Sequence, residues 1–263
     1  MLKKYTKKPE TPEGHQYRHR EEATEEDWQL YNDVREEMQE RFDFMWSGFS
    51  GRLIKGNSYS SSHKNERQYT WCAYVTRKLA EHRPKTILDI GSWVQYVFGL
   101  AASGADVTMI DIREHPQASI FPFRYQQADV ADLPFEDDSF AAVTIWQNLH
   151  HVGIGYNQDF DPDKAQKAIR EVTRVLEPGG IALLSTRVKK GKSCLIYGGI
   201  RVTGIEHLEE MIADAGLTSE DVHYKSGRDF REISRDELTE EVGLRESQRG
   251  DFILATLRKP TSS

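Results

Sequence analysis

Thr86-Ile-Leu-Asp-Ile-Gly91 and, downstream, Asp106-Val-Thr-Met-Ile-Asp111 form the stretch on which the fold turns. Each run is short, apolar and rich in β-branched residues, and each is bounded by turn residues, which reads as a buried strand. Residues 94–103 between them carry a helical pattern, closed by Gly104 as C-cap. Strand, helix and strand at this spacing predict a βαβ unit with parallel strands and a right-handed crossover. A strand that runs into Gly91 lets a ligand approach the backbone, and the following helix start offers free N–H groups. Asp111 closes the second strand about twenty residues later, where a carboxylate can accept hydrogen bonds from both ribose hydroxyls. Alone, this pair also suits a dinucleotide enzyme.

The alternation continues downstream. Residues 123–128 read as a third strand followed by Asp129, and Phe140-Ala-Ala-Val-Thr-Ile-Trp146 as a fourth. Asp161 and Pro162 open a helix as N-cap and first-turn residue. Its apolar positions Ala165, Ala168, Ile169, Val172, Val175 and Leu176 share one face, and Pro178-Gly179-Gly180 stops it. Residues 181–186 are the fifth strand, 206–215 a helix capped by Gly216, and 222–224 and 252–257 the last two strands. The charged segment 225–250 is expected to be partly helical. The fold class is α/β: a doubly wound, Rossmann-like, mostly parallel sheet. In such sheets ligands bind beyond the carboxyl ends of the strands. Gly91, Asp111, Asp129, the segment 146–151 and Arg187 are therefore the positions where chemistry is expected.

Upstream, residues 1–84 read as an N-terminal helical extension or cap on a main domain at 85–263. A polar lead-in (1–23) precedes a helix that Thr24 and Asp27 begin in the manner of a capping box. Trp28, Tyr31, Val34, Met38, Phe42 and Met45 then fall on one helical face. A Gly- and Ser-rich loop at 47–62 leads to a second helix over 63–82, which ends before Pro84.

Composition bounds the function. The chain has 263 residues, 38% of them hydrophobic, enough for a core without staples. Cys72 and Cys194 form no CxxC pair, so neither a disulfide framework nor a zinc site is indicated and a reduced, cytoplasmic setting is expected. No stretch has signal-peptide or membrane-span character. The net charge of -7 argues against a nucleic-acid partner, since phosphate contacts need a cationic surface.

Two further segments narrow the reading. Asp129-Val-Ala-Asp-Leu-Pro-Phe135 followed by Glu136-Asp-Asp-Ser-Phe140, and Val175-Leu-Glu-Pro-Gly-Gly180, taken in order with Leu88-Asp-Ile-Gly91 and Asp111, resemble class I S-adenosylmethionine (SAM)-dependent methyltransferases across roughly residues 85–216. The resemblance implies a seven-stranded sheet with the last strand antiparallel, and SAM as cofactor. It implies Asp89 and Gly91 near the methionine part, with Ser92 beside them, and Asp111 on the ribose. Asp129 would take the adenine amino group, Ile112 and Val130 would sandwich the ring, and Trp146 would also border the cofactor. The family's further glycines are replaced by Trp93 and Gln95. A pyrophosphate needs those glycines more than SAM does, which disfavours an NAD-dependent oxidoreductase. Trp93 is left open between core packing and the cofactor site.

Trp146-Gln-Asn-Leu-His-His-Val-Gly-Ile-Gly-Tyr156 is the most unusual segment and weakly resembles poorly characterised methyltransferases linked to surface-glycan synthesis. A histidine here can take a proton from a hydroxyl nucleophile. Gly153 and Gly155 favour His151 as the inward-facing base, with His150, Tyr156 and Arg187 assigned to the substrate. His150, His151, Asp159 and Asp161 match no established ligand spacing, so no metal is expected. The expected function is methyl transfer to a small-molecule or glycan-like acceptor at oxygen or nitrogen. The competing reading is a non-catalytic, methyltransferase-like binding or scaffold protein.

Overall fold

A computed structural model describes residues 3–4, 70–71, 74–75, 77–91, 97, 100, 104–114, 123–153, 161–196, 200–243 and 249–261. The stripe from Trp28 to Met45, the 47–62 loop, Ser92, Trp93, Gln95 and Tyr156 lie outside the described residues.

Strands β1 (Thr86–Ile90), β2 (Asp106–Asp111), β3 (Arg124–Gln127), β4 (Phe140–Trp146) and β5 (Leu176–Lys189) are followed by a short pair, β6 (Cys194–Ile196) and β7 (Ile200–Gly204). Then come β8 (Thr218–Lys225), β9 (Glu232–Ile233) and β10 (Asp251–Arg258). Helix α1 (Lys164–Val175) joins β4 to β5, and α2 (Ile205–Asp214) joins β7 to β8. The central sheet runs β3-β2-β1-β4-β5-β10-β8, and β10 is antiparallel to both its neighbours. This is the expected seven-stranded sheet with its last strand reversed.

Period-two alternation splits the core between the two faces. Leu88, Ile90, Val143 and Ile145 face α1 and α2, meeting Ala168, Ile169, Val172 and Leu208. Ile87, Ala142 and Trp146 face the other way, toward Trp71, Tyr74, Val75, Val97 and Leu100. The helical residues before Pro84 are thus built into the main fold. Trp71 stacks on Trp146 of β4, Tyr74 Oη bonds Thr256 Oγ1 of β10 at 2.6 Å, and Lys78 pairs with Asp221 of β8 at 2.9 Å.

Three features depart from the expected elements. The fifth strand starts at Leu176, not 181: Leu176 pairs with Phe140, and the register shifts before Ala142 meets Ile181. Pro178, Gly179 and Gly180 end α1 as expected, yet they form an irregularity inside the strand. Gly179 takes φ +81°, and Lys259 closes it with backbone bonds on both sides. Second, the hairpin β6–β7 was not anticipated. β5 outruns β4, whose last pair is Trp146 with Ser185, and β7 fills the vacated edge at Val188 and Lys189. Third, the charged segment, expected to be partly helical, holds strand β9 as well as a 3-10 helix at Arg235–Glu237 among its described residues. Ser234 and Glu237 cap that turn reciprocally, and the buried apolar residues Ile233 and Leu238 flank it rather than lie in it. Among the described residues no helix is long and apolar enough to cross a membrane.

Candidate active site

The expected positions collect at the carboxyl edge of the sheet. Gly91 ends β1 in the left-handed region (φ +62°), its N–H donating to Ile110 O at 2.7 Å. Asn148, arriving from the end of β4, lies directly over it. Asn148 Nδ2 donates to Ile90 O at 3.1 Å, and a Cβ at Gly91 would stand 1.6 Å from that nitrogen. Both conformation and space therefore require glycine here. Asp89 is fully buried, with Oδ2 accepting from Thr144 Oγ1 of the adjacent strand at 2.5 Å. It braces β1 against β4 just below the Gly91 turn.

Asp111 ends β2 with its side chain 11% exposed. Oδ1 accepts from the Arg113 backbone N–H (2.9 Å) and Nε (3.0 Å), and Oδ2 from an Arg113 terminal nitrogen at 2.9 Å. A carboxylate offers about four acceptor positions, so three donors leave room for a ribose hydroxyl. Asp129 follows β3. Its Oδ1 accepts from Ala131 N at 3.0 Å, and its Oδ2 pairs with Lys164 at 2.5 Å. Ile112 and Val130 are half-buried. The one open position at Asp111 fits a single ribose hydroxyl.

Helix α1 holds the acidic loop after Asp129 in place. Leu133 N donates to Glu171 Oε2 at 2.7 Å. Arg174 donates to Leu133 O, Phe135 O, Asp137 and Glu171. The Arg174 guanidinium and the Leu133 N–H hold the Glu171 carboxyl below its usual range against a smaller opposing effect of burial. Sequence reading placed the loop but not these two anchors. They look like ordinary polar-face residues until α1 docks.

The chain leaves β4 through Gln147, a non-glycine residue at φ +51°. Such a conformation costs on the order of 1–3 kcal/mol and persists only where surroundings fix it. Here Gln147 N donates to Ser185 O at 2.8 Å and its side chain to Ser185 Oγ at 2.7 Å. The bend delivers Asn148 to Gly91 and starts a 3-10 turn at Leu149–His151. Trp146 itself is 8% exposed, its ring parallel to Trp71 at 6.2 Å in the core.

His150 and His151 stand with ring centroids 4.1 Å apart. His150 is 5% exposed, whereas His151 is only partly buried. His150 Nδ1 has no hydrogen-bond partner among the described residues. Burial, then the neighbouring His151 and Arg187, push the His150 pKa well below the usual imidazole value. His150 is therefore neutral at pH 7. Arg187, near the end of β5, is buried over the Phe252 ring at 4.6 Å and donates to Arg249 O at 3.2 Å. Among the described residues no group of three or more metal-ligating side chains converges.

A family model described as "Methyltransferase domain" matches residues 88–184. A demethylmenaquinone methyltransferase of Clavibacter sepedonicus is 35% identical over 118 residues, covering 42% of this chain and 44% of that one. The chain thus spans about half the length of the curated relatives it matches. Among solved structures, a Burkholderia thailandensis 1,6-didemethyltoxoflavin-N1-methyltransferase with bound 1,6-didemethyltoxoflavin and S-adenosylhomocysteine superposes with TM-score 0.52 at 18% identity, over 81% of this chain and 86% of that one. The [4+2]-cyclase SpnF superposes with TM-score 0.53 at 21% identity, over 74% and 83%. The fold is that of the class I SAM-dependent methyltransferases.

Proposed function

We propose, on the premise that residues 88–184 form a class I methyltransferase domain, that this protein transfers a methyl group from SAM to a small-molecule or glycan-like acceptor at oxygen or nitrogen. The observation that carries the reading is the closure of the Gly91 turn by Asn148. It sets the ribose-competent Asp111 on one side of the β1 end and the histidine turn on the other. When bound, SAM supplies an electrophilic methyl group on a sulfonium. The protein's part is alignment of the acceptor with that methyl, worth much of the barrier when the geometry is fixed, and removal of a proton. His151 would accept the acceptor's hydroxyl proton at a ring nitrogen, while neutral His150 packs against it. An amine acceptor would shed its proton later and need His151 less. Asp89, Gly91 and Ser92 are assigned to the methionine part, Asp129, Ile112 and Val130 to the adenine, and Trp146, packed on Trp71, to the border of the cofactor site at the β4 end. His150, Tyr156 and Arg187 are assigned to the acceptor. Residues 1–84 are assigned the role of a cap over the site, its last turns anchored on the sheet by Trp71 and Tyr74.

The relatives are named demethylmenaquinone methyltransferases, so menaquinone-type acceptors belong in the first substrate panel. Calorimetry with S-adenosylhomocysteine, followed by transfer from methyl-labelled SAM to that panel, tests the proposal. Binding and transfer are expected. A folded protein that gives no heat would overturn the reading in favour of a non-catalytic scaffold. That second reading has its own support: Arg113 occupies both oxygens of Asp111, and the SpnF likeness shows that one fold hosts other chemistry.

A further inference from the structure

The hairpin β6–β7 packs its β7 strand against the Leu149–His151 turn. Cys194, Ile196 and Val202 cluster on one face with Val242. Arg201, adjacent in the strand, turns the other way and donates to Pro162 O at 2.9 Å, just ahead of α1. Arg201 is 3% exposed. Among the described residues this is its one hydrogen bond, although a guanidinium carries five N–H donors in a planar fork and stays charged in proteins.

Buried charge is normally paired. Arg187 lies over Phe252 and donates to Arg249 O, and Lys189 turns to the carbonyls of Lys190 and Lys192. Asp161 and Asp163 are near enough to favour the charged form of Arg201, against a larger opposing effect of burial. Neither forms an ion pair with it among the described residues, and the Asp161 carboxylate is taken by Lys167 and the Asp163 N–H. The buried carboxylates Asp89 and Asp251 are bonded elsewhere, to Thr144 and to Gly227 and Thr239. Arg201, Arg187 and Lys189 thus place three buried cations at the end of β5 and the start of β7 in a chain of net charge -7. A forked donor matches the two oxygens of a carboxylate or phosphoryl group.

We propose that Arg201, set beside the His150–His151 turn, recognises an oxyanion, carboxylate or phosphoryl, on the methyl acceptor. The assignment rests on the methyltransferase reading. Its geometry is lateral: Gly91 meets Asn148, the histidine turn follows, and β7 flanks that turn. Arg201 accordingly belongs to the acceptor rather than to the cofactor. The acceptor's anionic group would hold it in register while its nucleophile faces His151.

The test uses the full-length protein labelled with ¹⁵N-arginine and saturated with S-adenosylhomocysteine. Inorganic phosphate and, separately, acetate are titrated while the arginine Nε–H resonances are followed. One resonance, absent in Arg201→Lys, is expected to shift saturably with at least one anion, and the anion that moves it identifies the oxyanion class. Arg201→Lys should bind S-adenosylhomocysteine as the wild type does. If Arg201→Lys fails to fold, Arg201→Gln, which keeps a donor for Pro162 O, supplies the assignment. Absence of a shift with both anions, or the same shift in the variant, overturns the proposal. Loss of S-adenosylhomocysteine binding in a folded variant also overturns it, because the arginine would then serve the cofactor's carboxylate. If the wild type itself binds no S-adenosylhomocysteine, the methyltransferase reading fails, and the anion titration without it still decides whether Arg201 binds an oxyanion.

Discussion

The two halves of the carboxyl edge are built from opposite charges. Over β1–β3 the strand ends carry carboxylates, Asp89, Asp111 and Asp129, each held by a hydrogen bond or ion pair. After β4, late in β5 and at the start of β7 lie His150, His151, Arg187, Lys189 and Arg201. On the proposed function the first half would address neutral donors such as ribose hydroxyls and an amino group, a demand that the cofactor alone sets. The second would address whatever the acceptor presents, and its residues sit on a bent turn, on the end of β5 that outruns β4, and on the hairpin. The contrast teaches which half a relative's chemistry can be carried over to, and which must be read from this chain's own side chains.

The sharpest way to break the comparison is His151→Ala. If the acceptor half supplies a general base, turnover should fall by roughly 10²–10⁴-fold while S-adenosylhomocysteine affinity holds. Full turnover in the variant would reduce that half to alignment alone. On the cofactor side, Asp111→Ala should weaken S-adenosylhomocysteine binding by about 1.5–3 kcal/mol, as expected for loss of a charged hydrogen-bond partner. Unchanged calorimetric affinity would show that Arg113 keeps the carboxylate to itself. Thr144→Val sits on the seam between the halves. It leaves the buried Asp89 carboxylate without its hydroxyl donor and should cost about 1–3 kcal/mol in denaturant unfolding. No loss of stability would mean that other groups brace the β1 end.

The smallest expected effects are in pH. The folded-state pKa of His150 lies well below its unfolded value, so the unfolded chain binds the extra proton. The stability His150 contributes is fully present above about pH 6.5 and declines as pH falls below it, by at most about 1.4 kcal/mol per pH unit. His150→Asn should flatten that acid limb in pH-dependent unfolding. His223, at the sheet edge, has the opposite sign. Glu232 and then Asp221 raise its pKa against the effect of burial. Its contribution is present below the unfolded value and lost as pH rises through the folded one. His223→Gln should remove that weaker alkaline loss, and a common sign for the two histidines would contradict the burial difference between them.

The fold was legible because strand and helix patterns are local. All seven strands of the central sheet and both α1 and α2 were read from apolar period, glycine and proline. The misread elements share a cause. β5 crosses Pro178-Gly179-Gly180 because Phe140 and Lys259, distant in sequence, offer partners on either side. The hairpin β6–β7 is too short to show a period, and β7 forms where β5 outruns β4.

The sequence by itself determined the βαβ order, the reversed last strand by family likeness, and the carboxylates and glycine at the ends of β1 to β3. Those follow from side-chain periodicity and from residues that stand directly after a strand. Tertiary structure alone decided that Asn148 roofs Gly91, that Trp146 turns into the core against Trp71, that His150 is the more deeply buried of two adjacent histidines, and that Arg201 is buried beside them. Burial and long-range pairing set these properties, and neither is a property of neighbouring residues in the chain: of two adjacent histidines, one is buried and the other only partly so because of how the turn after β4 packs.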